Sequence, residues 1–195
     1  VRFMGESAKI LNPARRVLLP DDLADCPMAH MADIARIRAL RAQVPDLAVV
    51  CYINSTAQLK AECDVCVTSS NAVRIVSSLP NQNILFIPDE NLGRFVQAQV
   101  PGKRFYFSVG YCPVHAQLLA EDVEREKLAR PNAPVLAHPE CRADLLALAD
   151  FVGSTSEIIA YAEKSGAAEF ILCTEPGVLW ELSRRCPGKH FVPVT

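Results

Sequence analysis

Pro101-Gly102-Lys103-Arg104-Phe105 returns 86 residues later as Pro187-Gly188-Lys189-His190-Phe191. The same offset, without gaps, carries Cys26-Pro27 onto Cys112-Pro113 and Pro45 onto Pro131. It carries Ala57, Leu59, Ala61 and Asp64 onto Ala143, Leu145, Ala147 and Asp150, and Ser70 onto Ser156. So many identities in one frame, with apolar positions kept between them, mark an internal repeat. A strict frame places the next Cys-Pro loop three residues beyond Thr195. The repeat thus implies three related units, each offering one cysteine to a shared centre.

Within one unit, apolar runs alternate with helical stretches. The first strand is Val17-Leu18-Leu19 in one copy and Phe105-Tyr106-Phe107 in the next. A Cys-Pro loop follows, then a helix near Met28–Gln43 or Val114–Ala129. Next comes a buried strand, Ala48–Ile53 or Val135–Ala137, and a short helix. Asp64-Val-Cys-Val and Asp150-Phe-Val-Gly are short strands running into hydroxyl residues. A helix, the strand Ile84–Ile87 or Phe170–Cys173, and a last helix complete the unit. Continuous apolar strands separated by helices predict a parallel sheet covered on both faces. The expected class is therefore α/β: repeated three-layer α/β/α units with small parallel sheets, set about a pseudo-threefold axis in the full protein. The Pro-Gly-Lys turns place boundaries at 1–16 (end of a first unit), 17–102, 103–188, and 189–195 (return toward the first unit). The chain opens without Met and closes on an apolar run, which reads as cut at both ends.

Half of the residues are hydrophobic and 22% charged, an ordinary globular balance. A net charge of −2 gives no reason to expect nucleic acid or an anionic membrane as partner. No apolar run reaches the roughly 20 residues of a membrane span. Eight cysteines in apolar strands or beside proline, with no leader at the start, point to reduced thiols in a cytoplasmic protein. P-loop, G-x-G-x-x-G, G-x-S-x-G and H-E-x-x-H motifs are missing, which argues against a nucleotide cofactor.

Ligands of open α/β units bind beyond the carboxyl ends of the strands. Polar residues at that edge differ between the copies while the apolar scaffold is kept. Cys26 and Cys112 hold equivalent loops, and His115 follows only the second. Tyr52-Ile53-Asn54 corresponds to His138-Pro139-Glu140, and Thr68-Ser69-Ser70 to Ser154-Thr155-Ser156. Equivalent cysteines from three loops suit a [4Fe–4S] cluster with one iron left open, a Lewis acid for removing a substrate oxygen. Taken singly, each cysteine reads more readily as a small buried hydrophobe, and it is the equivalent placement in both copies that reverses this. His115 and His138 beside Glu140 form an acid–base group on paper. Ser69, Ser70, Ser154 and Thr155 precede helices and read as N-caps, a geometry that also binds carboxylate or phosphate.

These residues resemble the quinolinate synthase family over essentially the whole chain. The resemblance is carried by Arg2-Phe-Met-Gly-Glu-Ser-Ala-Lys-Ile-Leu11, Tyr52-Ile-Asn-Ser-Thr56, Val67-Thr-Ser-Ser-Asn71, Pro88-Asp89 with Asn91-Leu-Gly93, Gly110-Tyr-Cys-Pro-Val-His115, His138-Pro-Glu140 and Val152-Gly-Ser-Thr155. It implies a cytoplasmic enzyme of NAD biosynthesis that condenses iminoaspartate with dihydroxyacetone phosphate, losing phosphate and water. L-aspartate oxidase is the implied supplier of iminoaspartate. By resemblance, Cys26 and Cys112 are cluster ligands, with the third cysteine beyond residue 195. Tyr52, Asn54, Ser69 or Ser70, His138, Glu140 and Thr155 bind substrate, and His115, His138, Glu140 and Tyr52 serve catalysis. The family's amino-terminal His-Tyr-Tyr run and its third cysteine are not in this sequence, so the fragment alone is expected to be inactive. Three other classes fit the residues: a non-catalytic ligand-binding protein, a structural zinc protein using Cys26, Cys112 and His115, and a different cluster-dependent hydro-lyase.

Overall fold

Four parallel strands form the centre of each unit. In the computed structural model, which describes residues 1–195, the first sheet contains β1 (Leu47–Tyr52), β2 (Val65–Val67), β3 (Asn83–Ile87) and β4 (Arg104–Phe107), ordered β2-β1-β3-β4. The second contains β5 (Val135–Ala137), β6 (Phe151–Val152), β7 (Glu169–Cys173) and β8 (His190–Pro193), ordered β6-β5-β7-β8. All pairings in both sheets are parallel. The compact units are Val1–Tyr111 and Cys112–Thr195.

The helices of the first unit are α1 (Arg2–Leu11), α2 (Ile34–Gln43), α3 (Ala57–Lys60), α4 (Ala72–Ser78) and α5 (Glu90–Gln99). Those of the second are α6 (Pro113–Ala116), α7 (Ala120–Ala129), α8 (Ala143–Leu146), α9 (Thr155–Lys164) and α10 (Val178–Arg185). A single 3-10 turn, Pro27–His30, stands where α6 stands in the second unit. The repeat frame maps α2 onto α7, α3 onto α8, β3 onto β7 and β4 onto β8, residue for residue.

The three-layer reading holds in the packing. On one face of the second sheet, Val135, Ala137, Ile171 and Cys173 pack with Val123 of α7 and Leu145 of α8. On the other, Leu136, Phe170 and Leu172 pack with Ile158 and Ala162 of α9 and Leu182 of α10. The alternation follows from the period of two along a strand. In the first sheet all six residues of β1 are buried, and Val49, Cys51, Leu85 and Ile87 meet Ile37 of α2 and Leu59 of α3. Burying one such side chain contributes roughly 1.5–3 kcal/mol.

The repeated polar identities hold backbone. Asp64 and Val49 exchange two hydrogen bonds, Val49 N to Asp64 Oδ2 at 2.7 Å and Asp64 N to Val49 O at 2.9 Å. Asp150 and Val135 do the same at 2.8 and 2.9 Å. Each aspartate pins the short second strand beside the first. Lys103 Nζ donates to Leu79 O and Asn81 O, and Lys189 Nζ to Ala162 O and Ser165 O. Leu79 and Ser165 are the C-caps of α4 and α9, so each lysine satisfies carbonyls a helix end leaves open.

Two local expectations differ from the structure. Val17–Leu19 is not a strand, and Leu18 is 79% exposed. Its counterpart forms β4 because β3 offers it an edge; no strand edge receives Val17–Leu19 among these residues. β4 completes the first sheet just before the Cys-Pro loop of Cys112. The single helix expected over Met28–Gln43 is broken, because Asp33 accepts a hydrogen bond from Ala35 N and restarts the chain as α2. The equivalent break before α7 falls at Leu119.

Candidate functional site

The strand order places β1 between β2 and β3, and β5 between β6 and β7. The strand order therefore reverses at β1/β3 and β5/β7, where open α/β sheets bind ligands beyond their carboxyl ends. At the β5/β7 switch the chain leaves β5 into His138-Pro139-Glu140 and leaves β7 at Thr174. His138 N donates to Cys173 O at 3.1 Å, and Cys141 N donates to His138 O at 3.0 Å. The turn after β5 is thereby pinned against the end of β7.

Cys112 is the N-cap residue of α6, and Pro113 begins the helix, a position where proline sacrifices no hydrogen bond. One turn on, α6 carries His115, 5% exposed, toward Glu140, 3% exposed. His115 Nδ1 lies 2.8 Å from Glu140 Oε2 and 3.2 Å from Cys112 Sγ. One ligand atom from each of Cys112, His115 and Glu140 lies within 4.8 Å of the others. His138 stacks on His115, ring centroids 4.8 Å apart at 22°, and its Nδ1 is 3.8 Å from Glu140 Oε2. Cys141 and Cys173 lie fully buried behind them, with Cys141 Sγ donating to Cys173 O.

Burial dominates the electrostatics. It pulls the His138 pKa down to about 4 against the opposing pull of Glu140, so this imidazole is neutral near pH 7. Burial, reinforced by the Glu140 charge, pushes the Cys112 thiol up to about 12. A thiolate at Cys112 therefore calls for a compensating cation, and sulfur in such a setting prefers a soft metal. The donor set fits an iron–sulfur or zinc centre in that respect.

In the first unit, Cys26 is half-buried and caps the 3-10 turn as Cys112 caps α6. Its amide donates to Asp25 Oδ1, and Asp25 pairs with His30 at 2.8 Å. Tyr52 ends β1 and is 6% exposed, and Asn54 is half-buried two residues on. Ser55 Oγ closes this turn onto Tyr52 O at 2.8 Å. Ser69 is half-buried and Ser70 exposed; neither caps α4, whose cap position is Asn71. Thr155 is the exposed first residue of α9, while Ser154 caps it, the Glu157 carboxylate accepting from Ser154 N and Oγ. His30 and His190 are exposed partners of Asp25 and Glu169.

The loop that leads to Cys112 is seated by Gly110. Its carbonyl accepts from Glu90 N at 2.8 Å, and a Cβ there would stand 2.2 Å from Pro88 O. Only glycine fits that approach. Thr174 is the residue that sequence reasoning missed. It is 4% exposed, and its Oγ1 lies 3.0 Å from His115 Nε2. The available signal was its place immediately after β7, one strand across from His138.

Comparison with known proteins gives a consistent family. The family model described as quinolinate synthetase A protein matches residues 1–195. A Caldicellulosiruptor bescii protein named quinolinate synthase is 51% identical over 191 residues, 98% of this chain and 63% of the relative. One of that name from Fusobacterium nucleatum is 52% identical over 98% of this chain and 64% of the relative, and one from Clostridioides difficile 50% identical over 98% and 63%. The chain thus spans just under two thirds of the length of the relatives it matches. No helix is long and apolar enough to cross a membrane.

Proposed function

Because the chain belongs to the quinolinate synthetase A family, we propose that the protein containing it makes quinolinate for NAD biosynthesis, from iminoaspartate and dihydroxyacetone phosphate. The observation that carries this reading is the grouping of Cys112, His115 and Glu140 at the β5/β7 switch, in a chain half identical to proteins named quinolinate synthase. Balance requires that one phosphate and two waters leave for each quinolinate formed. Such a sequence needs groups that give a proton to departing oxygens and take protons from carbon and nitrogen.

Cys26 and Cys112 would hold a [4Fe–4S] cluster, with a third ligand from outside these residues. When bound, the cluster supplies a Lewis acid for loss of a hydroxyl group. The rest of the chemistry belongs to side chains. His138, neutral through burial, accepts a proton. His115 and Glu140, in contact at 2.8 Å, share one and pass it on. Tyr52 and Asn54, the counterparts of His138 and Glu140 in the other unit, hold carboxylate and hydroxyl groups of the intermediate. Ser69, Ser70 and Thr155 take the carboxylate and phosphate groups of the substrates. The expected partners are these small molecules and an oxidase that supplies the unstable imine, L-aspartate oxidase, in the cytoplasm.

One observation favours a second reading: sulfur, nitrogen and oxygen donors within 4.8 Å also suit a single zinc ion. Anaerobic metal and sulfide analysis of the full-length protein and of Cys112→Ala separates the two. About four irons with sulfide and a broad visible absorbance near 400 nm, lost in the variant, supports the cluster. One zinc without sulfide sinks it.

A further inference from the structure

Thr174 is a buried hydroxyl at this edge that the catalytic reading leaves without a task. It follows the last residue of β7, is almost fully buried, and offers a hydroxyl 3.0 Å from His115 Nε2. On the opposite side of the ring, Nδ1 faces Glu140 Oε2 at 2.8 Å and Cys112 Sγ at 3.2 Å. An ionised carboxylate only accepts hydrogen bonds, whereas a hydroxyl both donates and accepts. A neutral imidazole carries one proton. The carboxylate draws that proton to Nδ1, which leaves a lone pair at the buried Nε2 that needs a donor.

We propose that Thr174 is a positioning residue: its hydroxyl donates to His115 Nε2 and so keeps the His115 proton on Nδ1, facing Glu140 and Cys112. Two fixed contacts on opposite ring nitrogens also set the ring plane, because turning the ring over would break both. The second partner of a working imidazole commonly fixes its tautomer and orientation in this way. Valine would fill the same space without the donor, and serine would keep the donor without the methyl group.

This inference rests on the reading of His115 as a proton-handling group of the quinolinate-forming site. Its test uses the full-length, cluster-loaded protein under anaerobic conditions. Thr174→Val is expected to lose about 10²-fold in kcat, a typical share for a positioned acid–base group. KM for both substrates should change by no more than about two-fold, since ground-state binding is untouched. Thr174→Ser should recover most of the rate. Nitrogen-15 spectra of histidine-labelled, metal-free full-length protein give the readout independent of activity. They should place the proton on His115 Nδ1 in the wild type and in Thr174→Ser, and show it redistributed in Thr174→Val. Unchanged kcat and tautomer in Thr174→Val overturns the proposal. So does a serine variant as slow as the valine variant, which would mark Thr174 as packing. A wild type that makes no quinolinate, yet shows the tautomer and its loss in Thr174→Val, upholds the positioning role and overturns the functional reading instead.

Discussion

Lys189→Met keeps the apolar stem of the side chain and removes the ammonium. Two carbonyls lose their donor, Ala162 O at 2.6 Å and Ser165 O at 2.5 Å, both at the C-terminal end of α9. A hydrogen bond from a charged group is worth about 1.5–3 kcal/mol net. Holding a lysine in one rotamer costs up to about 2 kcal/mol, which methionine repays in part. The ammonium also lies 5.7 Å from the Phe170 ring centroid, worth about 0.5–1 kcal/mol. The expected net loss is about 2–4 kcal/mol. Lys103→Met removes the equivalent pair of bonds from Leu79 O and Asn81 O, and should cost about 2–3 kcal/mol. Lys164→Met, at an exposed position in the same helix, is the control and should stay within about 0.5 kcal/mol. Urea unfolding of the full-length protein followed by circular dichroism gives the ranking. Hydrogen exchange of the last amides of α4 and α9 localises the effect to the helix end concerned. A Lys189→Met variant no less stable than Lys164→Met would refute the idea that the repeated Pro-Gly-Lys turn exists to close a helix end.

Gly110→Ala should destabilise by more than about 3 kcal/mol in thermal unfolding, since a Cβ would meet the Pro88 carbonyl at 2.2 Å. Gly102→Ala has open space and should be close to neutral. Glu140→Gln should lower quinolinate formation at least about 10²-fold with iron content unchanged; loss of the metal instead would make Glu140 a ligand. His138, with a folded pKa of about 4, binds its proton less readily than in the unfolded chain, where the ordinary value is about 6.5. The unfolded state therefore takes up the extra proton between those values, and stability falls as pH drops from about 6.5 to 4, by up to about 3 kcal/mol. His138→Gln in the metal-free full-length protein should flatten that part of the stability–pH curve.

The repeat was legible because its identities serve jobs internal to each unit. Asp64 and Asp150 clamp a strand, Lys103 and Lys189 close a helix, and apolar strands fill a sheet buried on both faces. Such roles recur wherever the scaffold recurs. The candidate site residues were marked out for the opposite reason, since Tyr52 and His138, or Asn54 and Glu140, differ at places where the scaffold would allow sameness. Val17–Leu19 was misread because strand formation depends on a neighbouring edge, which a local apolar run does not reveal. Thr174 escaped because a lone threonine after a strand has no signature of its own; its meaning comes from His115, 59 residues away in sequence. The serines before α4 and α9 were read as caps by position alone, whereas the hydrogen bonds single out Ser154.

Quinolinate synthesis itself is tested by loading full-length protein with iron and sulfide and supplying iminoaspartate and dihydroxyacetone phosphate without oxygen. Quinolinate and inorganic phosphate are then quantified together by mass spectrometry and colorimetry. Both products are expected in equal amounts, with neither formed by Cys112→Ala. Loaded protein that releases phosphate without quinolinate, or forms neither, would contradict it.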